Sequence, residues 1–180
     1  MRIDNFAELA DLDGADARAA ARGEVYMAAQ QAAAALGTAL TATMVTLALV
    51  NPVSSKKFLK VLWAGVSVHS PPGGIAGYVL GIVSPPAVDP ITNTSADIRR
   101  SDGGSGDGEG LCYTAATLGA VPVVIDTLGA IAATGYVGES HFGKTYETLY
   151  LGPGSSVCIQ GLTTASTGIC AFRWREITIR

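Results

Sequence analysis

Leu40-Thr-Ala-Thr-Met-Val-Thr-Leu-Ala-Leu49, closed by Val50-Asn-Pro52, is the stretch that decides the fold class of this 180-residue chain. It lies inside the longest run without a formal charge, Val25 to Ser55. Such a run is either a membrane helix or strand material packed on both faces. Thr41 and Thr43 fall on one side of an extended chain and Leu40, Ala42 and Met44 on the other, so period two fits better than a helical stripe. Asn51-Pro52 stops the run, Lys56, Lys57 and Lys60 follow, and a second apolar segment begins at once, which is the pattern of a strand, a turn and a strand.

The same alternation of short apolar runs with Gly, Pro, Asn and Ser continues to the end of the chain. Strands are expected over Glu24–Ala29, Leu40–Val50, Phe58–His69, Gly77–Val83, Gly110–Leu118, Val121–Leu128, Ala130–Val137, Thr145–Leu151, Ser156–Leu162 and Gly168–Ile179. Leu151-Gly-Pro-Gly154 is a tight reversal, and Cys170, Phe172 and Trp174 alternate with Ala171, Arg173 and Arg175. The expected fold is therefore mainly β, a jelly-roll-like β-sandwich over residues 23–180. Residues 1–22 differ in composition and read as a short N-terminal helical arm. In it Ile3, Phe6, Leu9 and Leu12 share an apolar face, Gly14 weakens the middle and Gly23 ends the helix. A polar, glycine-rich stretch at about 86–109 reads as a flexible loop. There is no internal repeat.

Apolar residues make up 48% of the chain and charged ones 15%, and the mean hydropathy is positive. That is more apolar surface than a lone domain of this size hides, so cover by other subunits is expected. A net charge of −3, with no basic block beyond Lys56, Lys57 and Lys60, argues against a nucleic-acid partner. Cys112, Cys158 and Cys170 are odd in number and lack metal-ligand spacing, so they read as buried thiols. Asp4, Glu8, Asp11, Asp13 and Asp16 stand where a secretory signal would be basic and then apolar.

The search for chemistry assigns no catalytic, cofactor-binding or metal-binding residue, and the chain reads as a non-enzyme. Ser105 in Gly103-Gly-Ser-Gly-Asp107 misses the nucleophile-elbow spacing. Asp102, Asp107 and Glu109 offer hard oxygens, but not at the spacing of a calcium loop. His69 and His141 lack the clustered carboxylate of a metal site, although a jelly roll could bring them together. Asp126, Glu147 and Glu176 are the acids within strand patterns. Exposed alternating positions account for Glu147 and Glu176, whereas Asp126, in an apolar strand, calls for a partner such as Arg173 or Arg175. The glycine cluster is not followed by the Lys-Ser/Thr of a phosphate loop.

Arg22-Gly-Glu24, the apolar run after it, and Leu49-Val-Asn-Pro-Val-Ser-Ser-Lys56 leading into Leu59-Lys-Val-Leu-Trp63 resemble small virion proteins of tailed bacteriophages. Pro153-Gly-Ser-Ser-Val157 and Phe172-Arg-Trp-Arg-Glu-Ile177 look like the end of a viral jelly roll. The resemblance implies a structural protein of the virion: a capsid decoration or cement protein that bridges subunits of the major capsid protein. It also implies a homo-oligomer, a trimer in preference to a dimer, with Ile3, Phe6, Leu9 and Leu12 as the partner contact. Apolar two-faced strands such as Phe58–Val68 would be covered by identical subunits. Two alternatives stand beside it. One is a fibre, spike or glycan- and receptor-binding module using Tyr78, Tyr113, Tyr136 or Trp174. The other is a holin-like membrane protein with spans at Ala32–Val50 and Ala115–Gly135, which the threonines, Pro122 and Asp126 disfavour.

Overall fold

The computed structural model describes residues 14–43, 45–70, 72–84, 94–104, 108–132 and 140–179. After a helix α1 (Ala15–Ala21), the strands follow in chain order. They are β1 (Val25–Ala29), β2 (Ala34–Ala35), β3 (Val45–Val50), β4 (Lys57–Val68), β5 (Ala76–Val83), β6 (Thr94–Ser95), β7 (Ile98–Arg100), β8 (Leu111–Ala116), β9 (Val123–Ile131), β10 (Ser140–Thr145), β11 (Tyr150–Leu151), β12 (Ser156–Leu162) and β13 (Thr167–Thr178). They form two antiparallel sheets. The seven-stranded sheet runs β10-β4-β13-β1-β7, with β11 beside β4 and β2 beside β13, and the six-stranded sheet runs β6-β8-β3-β12-β5-β9.

The pairings among the eight principal strands carry the topology. The first in the chain pairs with the last (β1 with β13), the second with the seventh (β3 with β12), the third with the sixth (β4 with β10) and the fourth with the fifth (β5 with β9). One long hairpin has thus been rolled so that successive pairs fall in opposite sheets, which is the jelly-roll order. The polar stretch between β5 and β9, expected as a loop, contributes β6 and β7 in its described part. With β8 it widens both sheets, since β7 adds to β1 and β8 to β3.

The main core lies between the sheets. Leu59, Val61, Phe172 and Trp174 from one sheet meet Leu47, Leu49, Leu80 and Ile159 from the other. Trp174 stacks on Tyr26 at 5.9 Å between ring centroids, and Tyr78 on Phe142 at 5.6 Å. Strand β3 is buried along its whole length. Its Ala48 and Val50 join Cys158 and Val83 in a second apolar cluster, so this strand is indeed packed on both faces.

Strand β4 behaves differently from the expectation of two apolar faces. Trp63 is in register with Arg173 and Val61 with Trp174, so Leu62 is an extra residue and the strand carries a bulge there. The bulge moves the inward set from Leu59 and Val61 to Ala64, Val66 and Val68. One face stays in the core throughout, and Lys60, Trp63 and Ser67 take the outside. The facing chain accommodates the bulge. Where one strand Thr145–Leu151 was expected, β10 ends at Thr145, residues 146–149 loop out opposite Leu62, and β11 resumes at Tyr150.

Other boundaries shift for local reasons. The strand expected from Leu40 begins at Val45, because Thr41 Oγ1 accepts the amide of Thr43 at 3.1 Å and Gln160 exchanges hydrogen bonds with the Thr41 backbone. The strands expected on either side of Gly129 are continuous across it in their described residues, as β9. That glycine makes room for the ring of Phe142, which a Cβ would overlap, and is not a turn. In the described part of the arm the helix is α1, Ala15–Ala21. Gly14, at φ 94°, precedes α1, and Gly23, at φ 71°, follows it. The described part of the arm docks on its own domain. Ala19 is fully buried, and Asp16 meets Lys60 at 2.8 Å and Arg175 at 3.4 Å on the outside of the seven-stranded sheet. Ile3, Phe6, Leu9 and Leu12 lie outside the described residues.

Candidate functional site

The acids singled out in the sequence hold the fold together by different routes. Asp102 is tied to Arg100 at 3.1 Å and to the Gly104 amide at 2.9 Å. Glu109 is drawn away from it onto the turn after Asn51-Pro52, accepting from Ser55 Oγ at 2.8 Å and from the Lys56 amide at 2.9 Å. Ser105 and Asp107 lie outside the described residues. Among the described residues no three His, Cys, Asp or Glu side chains gather as a metal site. His69 and His141 do approach one another: His141 is in register with Ser67, whose hydroxyl lies 3.3 Å from His69 Nε2, and both rings are exposed.

Asp126 has the partner it calls for, but from a different strand. Lys144 Nζ donates to it at 2.8 Å and Tyr146 Oη at 3.1 Å, whereas Arg173 and Arg175 sit on the opposite outer face. Glu147 is exposed as expected. Glu176 is not. Strand β13 turns it into the end of the sandwich, where Lys57 Nζ lies at 2.6 Å and the Gly110 amide donates at 2.8 Å. Burial alone would lower the Lys57 pKa, but the Glu176 carboxylate overrides it and holds the ammonium above its ordinary value. Cys112, Cys158 and Cys170 are free and buried.

The aromatic residues proposed for ligand contact are placed otherwise. Tyr78 and Trp174 are fully buried, Tyr113 packs against the second apolar cluster, and Tyr136 lies outside the described residues. The exposed aromatic side chains among the described residues are Phe58 and Tyr150 instead, and Trp63 stands half-buried on the outer side of β4. Strict alternation with Leu59 and Val61 would put Trp63 inside, and the bulge at Leu62 turns it out.

The Asn51-Pro52 motif has a structural explanation. Asn51 is buried, and its Nδ2 donates to the carbonyls of Lys57 at 2.8 Å and Leu151 at 2.9 Å. Its own amide and carbonyl bond Ser155 and Gly154. One carboxamide thereby staples the ends of β3, β4 and β11.

The surface suited to a partner is the start of β9 with Val121 just before it. Val121 is 58% exposed, Val123 67%, Val124 39% and Ile125 43%. Among the described residues, strand β9 ends its sheet and is paired on one side only, with β5. Unpaired backbone and four exposed branched side chains therefore coincide. Bulges at Ile125 and Leu128 twist the strand further along and leave its first residues regular. No helix among the described residues is long and apolar enough to cross a membrane. In their described parts the stretches 32–50 and 115–135 hold strands. No protein-family model matches the chain, and no curated protein matches it in sequence.

Proposed function

We propose that this chain is a non-enzymatic structural protein of the virion, a capsid decoration protein that works as a homo-oligomer, preferentially a trimer, on the major capsid protein. The observation that carries the reading is the apolar segment Val121 to Ile125, which leads into and opens the edge strand β9, on a jelly roll. A monomer leaves that edge wet, and neighbouring copies of the chain can cover it with apolar surface of their own. The resemblance of the Asn51-Pro52 and Phe172–Ile177 segments to virion proteins gives the assembly its place. The function is mechanical. Each subunit spanning a joint between capsid subunits adds interface that must break before the shell opens, so internal pressure is resisted by binding energy alone.

Light scattering on the full chain tests the oligomer. The expected mass is a multiple of the 18.3 kDa protomer, and Val123→Lys with Val124→Asp reduces it to a monomer that keeps its β-sheet circular dichroism. A monomeric parent protein overturns the reading. Co-sedimentation with shells of the major capsid protein tests the anchor. Because α1 docks on its own domain, deleting residues 1–13 is the informative truncation. Loss of shell binding with the oligomer intact is expected, and retained binding removes the arm from the model.

A further inference from the structure

Across the outer face of the seven-stranded sheet, Trp63 on β4, Arg173 on β13, Met27 on β1 and Arg99 on β7 stand side by side in register. The neighbouring row holds only small residues, Gly65, Ala171 and Ala29. Large side chains beside a low floor make a groove of about 630 Å³, to which Gln31 and Asp97 add polar groups. We propose that this groove binds a saccharide carrying a carboxylate, with Trp63 as the stacking platform and Arg173 and Arg99 as the anchors for the acid.

The platform is built into the backbone. A Cβ on Gly65 would overlap the Trp63 ring, and one on Gly143 of the next strand would come within 2.7 Å of it. The indole therefore lies across two glycines, flat against the sheet, with its other face turned outward. The π face of an aromatic ring carries negative charge density and attracts the weakly positive C–H face of a pyranose.

Charge selects an acid. Arg173 has no ion-pair partner among the described residues, and Arg99 reaches Asp97 only at 4.0 Å with both side chains well exposed. Two guanidinium groups against one carboxylate leave a positive balance, and the planar fork of arginine matches a carboxylate in two-point contact. Position argues against an extended peptide. Strands β4, β13 and β1 are paired on both sides, so the groove crosses a sheet face and has no main-chain groups to offer a peptide strand. A sugar ring needs only the flat indole, the polar rim and the charges. A volume of this size holds one or two rings.

The test is titration of the full chain with tetragalacturonate and with sialyllactose, followed by calorimetry and by tryptophan emission. The chain has two tryptophans and Trp174 is buried, so a change in emission reports Trp63. Binding of at least one acidic sugar is expected. Trp63→Ala should weaken it about tenfold or more, Arg173→Gln should weaken it about tenfold, and rising salt should weaken it further. Both side chains point outward, and unchanged near-ultraviolet circular dichroism confirms that the variants fold. Absence of binding to both sugars overturns the proposal. So does cellotetraose binding as tightly as the acids, which removes the anionic anchor. Polyglutamate binding that Trp63→Ala leaves intact also overturns it, since the face would then recognise acidic protein.

Discussion

Asp126 on β9 and Lys144 on β10 meet at 2.8 Å, which ties an end strand of the six-stranded sheet to an end strand of the seven-stranded one. Tyr146 Oη and the Thr127 amide complete the shell of the carboxylate. The Lys144 hydrogen bond holds the Asp126 pKa below its ordinary 3.8, against a smaller opposing effect of burial. A carboxylate whose pKa is depressed on folding stabilises the protein above the unfolded value and ceases to as pH falls through the folded one. Asp126→Asn should therefore cost on the order of 1 kcal/mol at neutral pH, the side chain being partly solvated. Urea melts of both proteins should converge as pH drops below 3.8. A gap that stays constant with pH would show that the charge is not what matters.

Asn51→Ala removes one buried and one partly buried hydrogen bond and leaves the carbonyls of Leu151 and Lys57 without that donor. The expected loss is about 2–4 kcal/mol. Asn51→Asp should fare no better, because a carboxylate has no proton to give either carbonyl. Denaturant unfolding checks both, and a loss well under about 1 kcal/mol contradicts the stapling role.

Glu176→Gln keeps the shape and the bond from the Gly110 amide but drops the charge pair with Lys57, while Glu176→Ala drops everything. Stability should fall in that order. The alanine change should cost about 2–4 kcal/mol, less than for a fully buried pair because Lys57 reaches solvent. Gly108→Ala attacks the same place from the other side, since a Cβ there would overlap the Glu176 carboxylate and lie 3.0 Å from the Tyr26 ring. Lys57, with its pKa raised on folding, stabilises the parent below 10.5, and the contribution disappears as pH climbs through the folded value. Thermal melts of parent and Glu176→Gln should therefore converge at high pH.

Burial pushes the Cys112 and Cys158 thiols up to about 12, and Cys170 higher still. Thiolate is the reactive form, so an aromatic disulfide reagent at neutral pH should leave all three untouched in the native protein. In denaturant it should titrate all three. Fast labelling without denaturant would show that the core opens locally.

How far these features were legible in advance depended on range. Asn51-Pro52 marked the end of β3 because proline and the preceding residue restrict the backbone locally. The alternation of Cys170, Phe172 and Trp174 placed β13 with the right face inward. Thr41 and Thr43 misled because the Thr41 hydroxyl takes the Thr43 amide and pairs with the Thr43 hydroxyl, which a count of apolar residues cannot register. Gly129 misled because a glycine that admits a ring from another strand looks the same as one that turns the chain.

The sequence by itself determined the class: a mainly β chain of alternating segments, punctuated at Asn51-Pro52 and at Leu151-Gly-Pro-Gly154, with a core set recognisable by period two. Those are properties of neighbours along the chain. Tertiary structure alone decided that Trp63 faces out, because one extra residue at Leu62 inverts the parity of β4 and is matched by the kink at 146–149 in the strand opposite. It alone decided that Asp126 belongs to Lys144 and Glu176 to Lys57, since rolling the hairpin brings together residues 18 and 119 positions apart. Register between distant strands is set by how two whole sheets fit, and no local pattern carries that information.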